Sequence, residues 1–310
     1  MRIGLIDVDG NGKFPNLPLM KLSAWHKQNG DVVEWYDALF GGHFDKVYLS
    51  KVFSFTPDYE LPIDADEIVK GGSGYCINLV NGKEVFDQSK NKNLPDEIEH
   101  IYPDYSLYPA LTQDTAFGFL TRGCPRGCDF CIVGKKEGKC SVKVADLSEF
   151  WRGQKKIVLC DPNILACKDW RELLQSLIDS GAEVDFNQGL DIRLMTEEKA
   201  QMLNAIKIKE IHFAWDRYED KNIILPKLQL YASIVHQSPH AHKAIVYTLT
   251  NFSTTLEQDL ERIYTLRDLG FWPYVMVYDK DHAPKVYKRL QRWVNMRSVF
   301  ATVKKFEDYK

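Results

Sequence analysis

No run of apolar residues in this 310-residue chain is long enough to span a membrane. No charge of one sign dominates either: 40 Lys and Arg stand against 43 Asp and Glu, for a net charge of −3. That near balance excludes a chain-wide basic footprint for nucleic acid. The opening Met1-Arg2-Ile3-Gly4-Leu5-Ile6-Asp7 is too short and too soon acidic to read as a secretion signal. The cysteines number seven, an odd count that fits a reducing compartment better than a disulfide framework. The expected location is therefore cytoplasmic. No repeat or low-complexity tract interrupts the chain. The rest is an ordinary globular composition, 45% hydrophobic and 27% charged, long enough for one large domain or two modest ones.

The most informative stretch is Thr121-Arg122-Gly123-Cys124-Pro125-Arg126-Gly127-Cys128-Asp129-Phe130-Cys131. Its cysteines follow a C-x3-C-x2-C spacing within one short loop. Thiolates favour soft metals and iron–sulfur clusters over hard ions. Three thiolates can hold three irons of a 4Fe-4S cluster and leave the fourth iron open. Gly123, Pro125 and Gly127 suit a loop that wraps closely around an inorganic core. A structural zinc site is the other reading, and it requires four closed ligands. Cys140 could complete such a set, but no histidine lies between Cys131 and Cys140.

Cys124, Cys128 and Cys131, with Phe130 just before the third cysteine, resemble the signature of the radical S-adenosylmethionine superfamily. The resemblance implies a 4Fe-4S cluster whose open iron chelates the amino and carboxylate groups of S-adenosylmethionine. It also implies reductive cleavage to methionine and a 5′-deoxyadenosyl radical that abstracts hydrogen from a substrate. Such enzymes take their electron from an external donor of flavodoxin or ferredoxin type.

Along the chain, Arg2 to Asp7 reads as a strand and Asp9 to Gly12 as a loop. Leu17 to Asn29 reads as a helix with Leu19, Leu22, Trp25 and His26 near one face, stopped by Gly30. Further strands are expected at Asp31 to Tyr36, Lys46 to Lys51 and Ala65 to Val69, the last running into Gly71-Gly72-Ser73-Gly74. This order predicts a small doubly wound α/β domain over residues 1–108. It resembles a shortened cobalamin-binding-type domain. That family's Asp-x-His-x-x-Gly motif is missing, because Asp7-Val8-Asp9-Gly10 offers no histidine. Cobalamin is therefore a disfavoured cofactor. Ser89 to Pro109 is polar and broken by three prolines, so it reads as a connection between domains.

From Ala116 on, strands and helices alternate. Strands are expected at Ala116 to Thr121, Lys156 to Cys160, Glu183 to Asn187, Glu210 to Trp215, Ala244 to Leu249 and Pro273 to Tyr278. Helices are expected at Ala145 to Trp151, Trp170 to Ser180, Glu197 to Ala205, Leu225 to His236 and Leu256 to Leu269. Thr196 and Thr254-Thr255 stand as N-caps, and Gly181 and Gly270 as stops. Parallel βα units in this number make a partial (β/α)6 barrel over residues 109–280, the shape the superfamily resemblance also implies. An amphipathic helix from His282 to Met296 and a basic tail complete residues 281–310.

Ligands of parallel α/β folds sit beyond the carboxyl ends of the strands. After the second barrel strand the superfamily often carries Gly-Gly-Glu, which holds the ammonium of S-adenosylmethionine. Here Asp161-Pro162-Asn163 would supply a carboxylate from Asp161 and a carbonyl from Asn163, unless Asn163 merely caps a helix. After the third strand, Arg193 would pair with the methionyl carboxylate. Asn187, Gln188 and Asp191 would meet ribose hydroxyls. The alternative is an ordinary Asp191–Arg193 ion pair. Asp216 would meet ribose or substrate, or only satisfy Arg217. Thr248, Thr250 and Asn251 end the fifth strand, where the family contacts ribose or adenine, and Phe130 and Val133 would flank adenine. Lys135, Lys136 and Lys139 follow the loop as an anion site or a solvated turn.

The remaining cysteines narrow the reading. None lies beyond Cys167. That departs from subfamilies with auxiliary C-terminal clusters and from methylases that use a C-terminal cysteine. Only Cys76 stands where methylthiotransferases carry an N-terminal triad. Cys140, Cys160 and Cys167 read as small buried hydrophobes. The expected function is a single-cluster radical enzyme for C–H functionalisation, methylation among the outcomes. A second expectation, from a different class, is a zinc- or cluster-stabilised nucleic-acid-binding module. It would use the basic tail with Lys285, Lys288, Arg289, Arg292, Arg297, Lys304 and Lys305, although a helix bearing Trp293 could equally pack on the barrel.

Overall fold

The computed structural model describes residues 1–10, 14–80, 83–236 and 243–310. Asn11 and Gly12, expected in a loop, lie outside the described residues. Two compact units emerge. The first comprises Met1–Gly118, Arg126–Lys139 and Ala145–Ile157; the second comprises Phe119–Pro125, Cys140–Val144 and Val158–Lys310. These units do not follow the boundaries expected at 108 and 280.

In the first unit, strand β1 (Arg2–Asp7) is followed by helix α1 (Leu17–Gln28) and strands β2 (Val32–Trp35), β3 (Phe44–Ser50) and β4 (Ala65–Gly71). They form a parallel sheet of order β2-β1-β3-β4. β1 is buried on both faces, as a central parallel strand must be. Ile3 and Leu5 pack with Leu19 and Leu22 of α1, while Ile6 joins Phe44, Val47 and Leu49. The Asn16 side chain caps α1 by accepting from Leu19 N at 3.3 Å. A helix lies between β1 and β2, whereas the chain from β2 to β3 and from β3 to β4 carries none. The helical cover is thus thinner than a doubly wound sheet usually carries. A hairpin of β5 (Ile77–Val80) and β6 (Lys83–Phe86) follows.

The stretch expected to be a connection belongs to this unit's core. It forms the short helices α2 (Asp96–Glu99) and α3 (Pro109–Thr112). Ile98 is buried against Ile3, Leu5, Leu19 and Leu22, with Leu94 and Leu107 beside it. The prolines stop long helices here but leave these apolar side chains free to pack. β7 (Thr115–Gly118) ends the first long segment of the unit.

β8 (Thr121–Arg122) enters the cysteine loop, which runs into helix α4 (Val133–Lys136), and β9 (Val142–Lys143) returns antiparallel to β8. Instead of the helix expected at Ala145 to Trp151, a single 3-10 turn spans Leu147–Glu149, closed by an Asp146/Glu149 capping box. The segment is too short to offset helix nucleation.

Beyond it the alternation holds. β10 (Lys156–Leu159), α5 (Trp170–Ser180), β11 (Glu183–Leu190), α6 (Glu197–Ala205), β12 (Lys207–Ala214), α7 (Lys221–Val235), β13 (Lys243–Thr250), α8 (Leu256–Asp268) and β14 (Trp272–Val277) follow in turn. The sheet has six strands in the order β14-β13-β12-β11-β10-β7, with β11 to β14 paired in parallel. Thr196 and Thr255 cap α6 and α8 as expected, Thr255 within a capping box with Gln258. α9 (Lys285–Asn295) and α10 (Arg297–Thr302) are not a separate appendage. Leu290, Trp293, Val294 and Phe300 share a core with Ile263 of α8 and Val275 of β14.

Candidate functional site

The cysteine loop is anchored at its start by a buried carboxylate. Asp161, just after β10, accepts the backbone N–H of Leu120 at 3.1 Å, that of Thr121, and the Thr121 hydroxyl at 2.6 Å. Its residue exposure is 4%. Burial pushes its pKa up to about 6, while these hydrogen bonds and the Arg122 charge pull the other way. This differs from the expected role on an ammonium group: the carboxylate is already engaged by the chain that carries Cys124.

The raised pKa has a consequence for stability. The folded state holds this proton where the unfolded state has lost it, so the group's contribution falls as pH rises from about 4 through 6. Against Asp161→Asn, wild type is expected to lose about 3 kcal/mol of relative stability across that window. Urea unfolding of both proteins at stepped pH measures it; a difference that stays flat refutes the assignment.

Gly123 and Gly127 adopt positive φ of 81° and 59°, which lets the loop turn tightly. Cys124, Cys128 and Cys131 are half-buried. Asn163 is buried and donates from Nδ2 to Cys124 Sγ at 3.5 Å. Its backbone carbonyl accepts the Ser141 hydroxyl at 2.8 Å. Its Oδ1 is buried with no hydrogen-bond partner, and its side chain does not cap the following turn. Phe130 and Val133 are half-buried, and Val133 opens α4. Lys136 of the basic run donates to Ser73 Oγ in the glycine-rich turn after β4. Among the described residues, no three His, Cys, Asp or Glu side chains gather as a single metal ion requires. Cysteines that ligate a four-iron cube bind separate irons rather than one ion. Cys160 and Cys167 are buried as expected, but Cys140 is exposed, since it sits in the turn before β9.

At the rim of β11, the β11–β12 register shifts between Phe186 and Leu190, so Asn187, Gln188 and Gly189 bulge out of the ladder. Gly189 has φ of 92°, and a Cβ there would come within 3.2 Å of the His212 carbonyl oxygen. Asn187 is half-buried and Gln188 exposed. Arg193 pairs through Nε with Asp191 at 2.7 Å and through Nη1 with Asp220 at 2.6 Å. Arg193 thus makes the Asp191 ion pair that stood as the alternative, extended to a second carboxylate.

Asp216 is half-buried just after β12, and burial raises its pKa against the pull of Arg262 and the Leu249 N–H. Thr248 is fully buried, on the β13 face opposite Tyr247. Asn251 has φ of 61° and donates to the Tyr278 carbonyl at 2.9 Å.

Sequence reasoning missed Arg262. This α8 arginine is fully buried and donates to the carbonyls of Trp215, Asp216 (3.1 Å) and Leu249 (2.7 Å), and to Asp259 Oδ1 at 2.5 Å. It ties together the carboxyl ends of β12 and β13. The only sequence trace was Asp259 three residues before it on a helix.

The inner face of the second unit's sheet is polar. Past the register shift beside Asp185, Ile211 and Phe213 of β12 face the helices, Phe213 meeting Tyr231 of α7 edge-on at 4.9 Å. Glu210, His212 and Ala214 alternate to the inner face. His212 stacks on Tyr247 with ring centroids 5.1 Å apart and planes 4° from parallel. Tyr247 meets Tyr274 edge-on at 5.7 Å.

No family model matches the chain, and no curated protein matches it. Solved structures do. The cobalamin-dependent S-adenosylmethionine radical enzyme OxsB, with aqua-cobalamin and S-adenosylmethionine bound, aligns with 100% of this chain and 56% of its own, at 11% identity and a TM-score of 0.57. OxsB with aqua-cobalamin bound aligns with 89% of this chain and 49% of its own, at 12% identity and a TM-score of 0.41. The chain thus spans little more than half the length of that enzyme. The first likeness shows the fold alone: an α/β chain built, over its whole length, like part of that enzyme.

Proposed function

We propose that the chain is a radical S-adenosylmethionine enzyme that functionalises C–H bonds, with Cys124, Cys128 and Cys131 holding one 4Fe-4S cluster. The carrying observation is Asn163. Its buried amide places Nδ2 on Cys124 Sγ and leaves Oδ1 without a partner beside it. An N–H···S bond tunes a cluster thiolate. The orphaned acceptor fits an amino group brought to the open iron, in keeping with the carbonyl role expected of Asn163. When bound, the cluster supplies the electron that cleaves S-adenosylmethionine to methionine and a 5′-deoxyadenosyl radical. Asp161 would hold the loop so that Cys124 meets Asn163. Asn187 and Gln188 remain candidates for ribose, Asp216 for ribose or substrate, and Phe130 and Val133 for the adenine flank. A flavodoxin- or ferredoxin-type protein would deliver the electron. With chemical reductant and S-adenosylmethionine, the reconstituted protein is expected to release 5′-deoxyadenosine slowly without substrate. Chromatography of the quenched mixture reads this, and iron-loaded protein that releases none defeats the proposal.

No observation favours the nucleic-acid module. Arg289 lies over the Phe306 ring and Arg297 over Trp272, while Arg297 also pairs with Glu210 at 3.0 Å. Part of the basic tail thus rests on its own aromatics and carboxylate.

Histidine-ligated cobalamin fits poorly. His26 is buried between Asp31 at 2.6 Å and Tyr48 OH at 3.0 Å, and His43 sits between Asp64 at 2.8 Å and Asp66 at 3.3 Å. Asp7 accepts from the Tyr108 hydroxyl, and Asp9 caps the N–H groups of Val52 and Phe53. Reconstitution with hydroxocobalamin is expected to give either no bound cobalamin or a cob(II)alamin paramagnetic resonance without nitrogen superhyperfine splitting. Such splitting from a histidine would overturn this and point to methyl transfer.

A further inference from the structure

The inner face of the second unit's sheet carries a group of side chains that the fold alone does not account for. Asp185 of β11 stands directly opposite Glu210 of β12 in the strand register. Like charges facing each other across a ladder are destabilising. Asp185 Oδ1 is buried with no hydrogen-bond partner, and its other oxygen meets Lys209 only at 3.9 Å. Burial, with Glu210 and Glu183 nearby, raises the pKa of this carboxyl. A buried acceptor without a donor costs stability.

The described neighbours on that face include a further acceptor. His212 is 7% exposed, and its Nδ1 lies 3.0 Å from the Phe186 carbonyl oxygen. Only Nδ1–H can make that bond, so the neutral ring presents Nε2 as an acceptor. Tyr247, stacked on one side by His212, and Tyr274 add aromatic rings, whose negative quadrupoles attract cations. Arg297 answers Glu210 from outside the strand, and Asp185 keeps only the long Lys209 contact.

We propose that this face binds the substrate through a planar, N–H-rich organic cation, of amidinium or guanidinium type. Its charge would lie on Asp185 with Glu210 adjacent, beside the Tyr247 and Tyr274 rings. Calling the ligand a substrate rests on the radical-enzyme reading above; binding of the cation does not.

The test uses the full chain, with and without reconstituted cluster. Benzamidine is the probe, and benzamide is the neutral control of nearly the same shape. Calorimetric titration is expected to show benzamidine binding about tenfold or more tighter than benzamide. Asp185→Val should remove that preference, and it should also raise the urea midpoint, because a valine suits the strand and the orphaned carboxylate is gone. Equal affinity for the two probes overturns the proposal. So does a preference that survives Asp185→Val, or a variant that is less stable than wild type. Should the valine variant not fold, the last outcome has occurred. Tyr247→Leu supplies a second reading, with loss of benzamidine affinity expected at an unchanged urea slope; full retention of affinity also overturns the proposal. Displacement of benzamidine by S-adenosylmethionine would assign the face to the cofactor and overturn the substrate claim. Benzamidine bound in this way by a protein that never releases 5′-deoxyadenosine would sink the radical reading and leave this site standing.

Discussion

Replacing Cys124, Cys128 and Cys131 together by alanine is expected to abolish iron binding and the brown colour of the anaerobically reconstituted protein. Wild type should hold about four irons per chain, the content of one cubane cluster. The loop carries the three thiols as a unit, and the remaining cysteines are badly placed to replace them. Cys76, Cys160 and Cys167 are buried, and burial pushes the Cys160 thiol far above its ordinary range, away from the thiolate a metal needs. Cys140 is exposed and free, so Cys140→Ala is the informative companion. It should leave the iron content unchanged for a cluster and reduce metal content for a four-thiolate zinc site. Iron assay and metal analysis on both variants decide the matter. Full iron in the triple variant would move the cluster elsewhere and remove the basis of the proposed chemistry.

The same loop shows how far the sequence was readable. C-x3-C-x2-C is a local pattern, and local patterns survive without knowledge of the fold. So do α5 and α6, found on the expected residues because their caps and stops are local too: Thr196 takes the Lys199 N–H, and Gly181 sits at φ of 60°. What escaped was long-range. Ile98 lies among prolines, and nothing near it in sequence says that Leu19 and Leu22 will cover it. Thr248 stood at a strand end, but the alternation in Tyr247-Thr248-Leu249 does not say which face meets the helices. The structure puts Tyr247 inward and Thr248 outward. Asp161 and Arg193 were expected to meet S-adenosylmethionine. Each finds its counter-group within the chain, in Thr121 and Leu120 for one and Asp191 and Asp220 for the other. A sequence shows charges, but not which of them the fold has already satisfied.

Arg262 is the extreme case of such hidden satisfaction, and Arg262→Met is expected to destabilise the second unit by about 3–5 kcal/mol. The guanidinium and Asp259 are both fully buried and 2.5 Å apart. Removing the arginine alone leaves a buried carboxylate without its counter-charge. It also strands the carbonyl acceptors of Trp215, Asp216 and Leu249 at the ends of β12 and β13. Burial already raises the Asp259 pKa against the pull of Arg262, so in the variant that pKa should rise further. The loss should therefore be larger at pH 8 than at pH 5. Replacing both residues, Asp259→Leu with Arg262→Met, should recover part of the loss, because an apolar pair carries no uncompensated charge. The unrecovered part measures the stranded carbonyls at the rim where Asp216 stands. Urea unfolding of wild type, both single variants and the double variant at the two pH values gives the full cycle. A single variant within 1 kcal/mol of wild type, or a double variant no more stable than Arg262→Met, would show that the buried pair does not hold the rim.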